Sequence, residues 1–220
     1  MKQLRMLSEL SKNIWTDMAS EAEIYTSDIK RISRTDIDAA YFSMSPERRK
    51  KCDGLKFQSD KELCIAADML LRRVLSEKLG IAPSEIEFAV TDSGKPYLKN
   101  GDWHFSISHS GDIAAVAVSR DCPVGIDVEK IRPVSARILL RVFSESDAHF
   151  VLGGSPIGNG RIEEREMLTR FFKVWTYKEA FVKMTGEGIG ADLRSISYDE
   201  ARCISSTFDD YVLTVITENK

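Results

Sequence analysis

The spacing of apolar residues changes along the chain, and each change marks an element. Beyond Ser59, DKELCIAADMLLRRVLSEKLG sets Ile65, Ala66, Met69, Leu70, Val74 and Leu75 at helical spacing, which predicts a long helix ending at Gly80. Ser59 and Glu62 form a capping-box pattern in front of it. The period then falls to two: IEFAV predicts a strand, TDSGKPYL a turn, and HFSIS and DIAAVAVS two strands broken at Gly111, as in a hairpin. The second half repeats this order loosely. TRFFKVWTYKEAFVKMTG predicts a long helix closed by Gly186, followed by LRSISYD and by strands in ARCISSTF and YVLTVITE.

Between these runs the pattern is weaker. TDMASEAEIYTSDIKRIS predicts an opening strand and turn, and DIDAAYFSM a short helix. VGIDVEKI is a strand, and ARILLRVFSESDAHFVL is helical in two pieces, the second restarting at Ser144. GGSPIGNGR, rich in Gly and Pro, predicts a loop that is a candidate lid or partner contact. The expected fold is α+β: two similar subdomains, 1–122 and 123–220, each with a long helix on a small antiparallel sheet, meeting along a common seam.

Composition narrows the picture by exclusion. In 220 residues, 31 Lys and Arg against 34 Asp and Glu give a net charge of −3, with no global pull toward nucleic acid or an anionic membrane. A polyanion would need a local patch, and ERRKKC at 47–52 is the strongest. No apolar run is long enough to cross a bilayer, and the first residues are too polar for a signal peptide, so the cytoplasm is the expected compartment. Cys52, Cys64, Cys122 and Cys203 lack metal-ligand spacing and are expected to be free, mostly buried thiols.

Candidate chemistry gathers in two places. In VGIDVEKI, Val124, Ile126 and Val128 face one way, while Gly125, Asp127 and Glu129 face the other. Two carboxylates side by side are either the solvent face of an edge strand or a seat for a cation. On the second long helix Glu179 and Lys183 form an i,i+4 pair, either on the surface or at the rim of a cleft. Asp127, Glu129 and Glu179 together would offer hard oxygen ligands, suited to magnesium or manganese with a phosphate-bearing substrate. The basic and donor groups available to such a substrate are Arg48, Lys51, Lys95, the Ser108-His109-Ser110 turn, Lys178 and Lys183. SGKP is not a Walker A loop, because Pro96 follows the lysine.

KPYL, FSISHSG, VGIDVEKI and FFKVWTYKEAFVKMTGEGI, in that order and at these separations, resemble the 4'-phosphopantetheinyl transferases of the surfactin-synthetase-activating type. The likeness runs from about Ser45 through Gly190. It implies a monomeric pseudo-dimer with its active site at the junction of the halves. It also implies transfer of phosphopantetheine from coenzyme A to a serine of an apo acyl, peptidyl or aryl carrier protein, releasing 3',5'-adenosine bisphosphate. By the resemblance, Asp127, Glu129 and Glu179 are magnesium ligands, Glu179 also draws the serine proton, and Lys183 lies near the pyrophosphate. Ser108 and His109 would meet the 3'-phosphate, Lys95 the adenosine end, and Arg48 and Lys51 the coenzyme's phosphates, with Lys178 a further phosphate or surface lysine. Leu63 stands near where the family often has an arginine aimed at the nucleotide. The segment from Phe143 to Arg161 is expected to touch the carrier. The alternatives are a non-catalytic coenzyme A or nucleotide-binding module and, less well matched, a magnesium-dependent phosphohydrolase.

Overall fold

The computed structural model of the chain describes residues 11–13, 22–99, 101–188 and 190–218; residues 16–21 of the expected opening strand lie outside these. In chain order the elements are β1 (Ser11–Asn13), β2 (Glu23–Asp28), α1 (Arg34–Ser43), α2 (Pro46–Asp53), α3 (Gln58–Leu79), β3 (Phe88–Val90), β4 (Pro96–Leu98), β5 (His104–Ser110), β6 (Ile113–Ser119) and β7 (Val124–Lys130). They continue with β8 (Val134–Ser135), α4 (Arg137–Val142), α5 (Glu145–Leu152), β9 (Arg161–Ile162), α6 (Arg165–Thr185), β10 (Ile204–Phe208) and β11 (Tyr211–Thr217). Two antiparallel sheets, ordered β1-β2-β6-β5 and β10-β11-β7, form the centre. Each is backed by one long helix, so the chain is α+β with two sheet-plus-helix halves. Among the described residues no helix is long and apolar enough to cross a membrane.

The alternation in the sequence sets the layers. α3 packs Leu70, Leu71, Val74 and Leu75 against Tyr25, Phe105, Val116 and Val118 of the first sheet. The other face of that sheet brings Ile24, Ala115 and Ala117 onto Val124, Ile126 and Val128 of β7. Small alanines here let two sheets approach closely. The far side of the second sheet carries α6, where Thr176 and Thr214 share a hydroxyl hydrogen bond of 2.7 Å and Val212 packs with Phe171 and Phe172. Each buried aliphatic side chain in these layers contributes about 1.5–3 kcal/mol. Gly80 and Gly186 close the two long helices in left-handed conformation, at φ 68° and 78°.

Gly125 fixes how closely α6 lies on β7. A Cβ at this position would sit 1.9 Å from the Ala180 carbonyl oxygen and 2.8 Å from the Met184 nitrogen, both backbone atoms of the helix. The helix therefore rests directly on the strand that carries Asp127 and Glu129.

Several local expectations are corrected. α3 starts at Gln58 with Phe57 as its cap residue and no side-chain cap, so Ser59 lies inside the first turn and the capping box does not form. Glu62 instead accepts from Arg34 and Gln58. Pro96–Leu98 is a strand paired with β3, leaving a shorter turn than expected. Cys52 and Cys64, with Cα atoms 6.1 Å apart, form a disulfide joining α2 to α3; Cys122 and Cys203 are free thiols. The helical segment 137–152 does break at Ser144, whose hydroxyl accepts from Asp147 N while Asp147 accepts from Ser144 N.

Gly125→Ala should lower the unfolding free energy by about 3 kcal/mol or more, because the clash is with backbone that cannot step aside. Gly158→Ala, which meets open space, should leave the urea midpoint unchanged. Equal midpoints for the two variants would refute the close approach.

Candidate functional site

The site begins with β5, whose sequence places Ser106, Ser108 and Ser110 on one face at period two. β7 is an edge strand, and on its unpaired side the N–H groups of Ile126, Val128 and Lys130 donate to the hydroxyls of those three serines, at 3.1, 3.3 and 3.1 Å. Side-chain oxygens thus take the place of a neighbouring strand and join the two halves. Two of the serines also donate: Ser108 to Asp127 Oδ1 at 2.7 Å and Ser110 to Glu129 Oε2 at 2.8 Å. Ser108-His109-Ser110 is therefore the end of a strand, and the turn falls after it. The Ser108 hydroxyl is buried and engaged within the protein.

Asp127 is 5% exposed, so it is not on the solvent face that edge-strand spacing allowed. Its Oδ1 also accepts from Lys183 Nζ at 2.7 Å, and Lys183 donates to Ser108 at 3.0 Å. The expected Glu179–Lys183 pairing is replaced by this one, because Lys183 reaches across to the strand. Oδ2 of Asp127 is buried, with no hydrogen-bond partner among the described residues. Burial pushes the Asp127 carboxyl up, Lys183 and Ser108 oppose the shift, and Glu129 adds to it. Glu129 is held by Ser110 and by Arg132 Nη1 at 2.9 Å, both on Oε2. The Glu179 carboxyl is likewise pushed up, first by burial and then by the charges of Asp127 and Glu129. The three carboxylates are close enough to repel one another. Among the described residues, however, no three acid, His or Cys side chains are already gathered as a metal site.

Beside this cluster a cavity of about 530 Å³ opens between the halves. Arg48 and Lys51 from α2, Lys95 from the β3–β4 turn, and Glu179 and Lys183 from α6 line it. Arg48 is largely buried and paired with Asp68 at 3.4 Å, and burial lowers its pKa. Lys51 is lowered by burial and then by Arg48; Lys95 is lowered by burial. Lys95 Nζ also donates to the Met184 carbonyl at 2.7 Å, capping the last turn of α6 from the other half. His109 is exposed and is not among the residues that line the cavity; desolvation, Lys183 and Arg48 lower its pKa.

Lys178 is placed elsewhere. It is fully buried, forms an ion pair with Asp147 at 2.7 Å and donates to the carbonyls of Leu193 and Ile196 at 2.7 and 2.5 Å. Its expected role toward phosphate is corrected to one of joining α5, α6 and the segment at 193–196. Leu63 is buried in α3 and does not line the cavity. Sequence reading missed Asp68, Arg132 and Ser106, and took Ser110 as a turn donor to the substrate rather than as the partner of Glu129. The signal for Ser110 was present, since FSISHS and GIDVEK share a two-residue period.

Residues 31–121 match the family described as 4'-phosphopantetheinyl transferase, N-terminal, and residues 123–216 match the 4'-phosphopantetheinyl transferase superfamily. A 4'-phosphopantetheinyl transferase of Bacillus subtilis is 32% identical over 167 residues, covering 76% of this chain and 70% of that protein. The 4'-phosphopantetheinyl transferase Sfp of Bacillus subtilis (strain 168) is 34% identical over 155 residues, covering 70% of this chain and 65% of that protein. The L-aminoadipate-semialdehyde dehydrogenase-phosphopantetheinyl transferase of Homo sapiens is 28% identical over 180 residues, covering 76% of this chain and 56% of that protein. The paired sheet-and-helix halves with a basic cavity between them are thus those of a transferase family. The chain belongs to the 4'-phosphopantetheinyl transferase superfamily, in the Sfp type that its Bacillus relatives represent. The match spans about two thirds of the length of the Bacillus proteins and just over half of the human one.

Two outcomes follow from this geometry. Lys178→Ala should cost about 3–5 kcal/mol by stranding Asp147 without a counter-charge; urea denaturation tests this. A Lys178→Ala protein of unchanged stability would contradict the buried pairing. Because the fold raises the Glu179 carboxyl above its ordinary value of 4.5, its contribution to stability falls as pH rises from that value through the raised one. Glu179→Gln should therefore melt above the wild type at neutral pH and match it at low pH; coincident melting curves at every pH would show that the charge is not strained.

Proposed function

We propose that this chain transfers the 4'-phosphopantetheine arm of coenzyme A to a serine hydroxyl of an apo acyl, peptidyl or aryl carrier protein and releases 3',5'-adenosine bisphosphate. The observation that carries the reading is the cavity between the halves, in which Arg48, Lys51 and Lys95 face Glu179 and Lys183. Partly buried lysines with lowered pKa values favour an anionic occupant, which restores the charge that burial opposes. One chain supplies both walls of the cavity, which supports a monomer as the working unit.

The donor set fits a hard divalent ion, magnesium or manganese: among the described residues Asp127 has a buried oxygen without a partner, and the Asp127 and Glu179 carboxyls are pushed up, first by burial and then by neighbouring carboxylate charge. These three residues would hold it. When bound, such an ion supplies neutralisation of the diphosphate. Glu179 takes the proton from the carrier serine, and its raised pKa suits a general base better than an ordinary carboxylate would. The serine oxygen bonds to the phosphorus of the phosphopantetheine phosphate. The bond from that phosphorus to the bridging oxygen breaks, and the bridging oxygen leaves with the nucleotide. Lys183, with a side chain 31% exposed, reaches from Asp127 to the cavity and donates to the charge that builds there. The segment 143–161, where Phe150 and Ile157 are exposed, is the proposed carrier contact.

Incubation with coenzyme A, magnesium and a panel of apo-carriers should add the mass of one phosphopantetheine arm to a carrier, read by intact mass. Asp127→Ala and Glu179→Ala should remain folded and lose turnover by roughly 100-fold or more. Coenzyme binding without any carrier gaining mass would favour a non-catalytic binding module, and near-full turnover in either variant would remove its assigned role.

A further inference from the structure

The serine row does more than join the halves. A serine hydroxyl has one proton. In Ser110 the oxygen accepts from Lys130 N at 3.1 Å, which leaves the proton for Glu129 Oε2 at 2.8 Å. Ser108 repeats the arrangement two residues earlier, accepting from Val128 N and donating to Asp127 Oδ1. A cation joins each serine on the same oxygen: Lys183 on Asp127 Oδ1 and Arg132 on Glu129 Oε2. Each carboxylate is therefore tied down through one oxygen. Among the described residues Oδ2 of Asp127 has no hydrogen-bond partner, and no donor falls on Oε1 of Glu129. Ser106 holds the Ile126 N–H in the same way, but the residue before Ile126 is Gly125, so it has no carboxylate to orient.

We infer that Ser110 is a positioning residue: with its proton direction fixed by the Lys130 N–H, it holds Glu129 by Oε2 and presents Oε1 to a divalent cation shared with Asp127. This deepens the proposed function and rests on it for the use to which the ion is put. Glu129 has more rotatable bonds than Asp127 and is less buried, so it depends more on such a tether. Backbone pairing sets where β7 lies; the hydroxyl sets which oxygen the strand offers.

The test titrates Mn²⁺ into the full chain by calorimetry, alone and at saturating coenzyme A, alongside thermal melting. Ser110→Ala should weaken Mn²⁺ binding by roughly 10-fold. Ser106→Ala, which removes the same kind of N–H acceptor but no carboxylate tether, should lower the melting temperature by a similar amount and keep wild-type ion affinity. Ser110→Thr, which keeps the hydroxyl, should restore binding. Wild-type Mn²⁺ affinity in Ser110→Ala, equal losses in Ser110→Ala and Ser106→Ala, or a wild type that binds no Mn²⁺ would each overturn the inference. A wild type that binds Mn²⁺ but modifies no carrier would overturn the transferase reading alone, because the ion titration still decides the role of Ser110.

Discussion

The unpaired edge of β7 sets the terms for the rest of the molecule. Three backbone N–H groups there have no strand to pair with, and burying them unsatisfied would cost free energy comparable to lost hydrogen bonds. Serines on alternate positions of β5 meet all three. The match works because both strands repeat every two residues, so one correct contact brings the other two into place. It also explains why the first sheet ends at β5 and the second at β7 although the strands lie side by side. The halves meet through side chains, and the meeting line is where the acidic residues stand.

Placing carboxylates on such a line carries an electrostatic cost. Asp127 is buried, and Glu179 comes down from a helix brought close by a glycine without a side chain. Burial first, and then the repulsion between carboxylates, raises the proton affinity of Asp127 and Glu179, relieved in part by Lys183. Opposite them, Arg48, Lys51 and Lys95 are held where burial works against their charge. Acid and base are thus both partly stripped of water on two sides of one cavity. A ligand carrying phosphates beside a divalent cation would satisfy both sides at once, which neither side does for the other across the open space.

Much of this was legible in the sequence. The long helices showed themselves by period and by their closing glycines, and the split of 137–152 at Ser144 by its capping residue. The alternation of VGIDVEKI correctly set Asp127 and Glu129 on one face with Gly125. Periodicity could not say whether that face met water or a helix, because only packing by α6 decides it. Lys178 was misplaced for a related reason. Charge suggests a surface, yet its ion pair comes from Asp147, 31 residues away, and from carbonyls that no pattern announces. The Cys52–Cys64 bond escaped notice because a 12-residue separation has no motif; it depends on α2 and α3 being packed together.

Lys95 shows what the shared boundary does for binding. An ammonium has three protons, and this one commits a single proton to the Met184 carbonyl at the end of α6. The side chain is therefore already anchored, with two protons to spare for the cavity. A long, flexible lysine would ordinarily lose rotamer freedom on gripping an anion, and that loss would weaken the complex. Here folding has already restricted the chain, so a guest arriving at this wall meets a donor whose orientation was settled when the two halves docked.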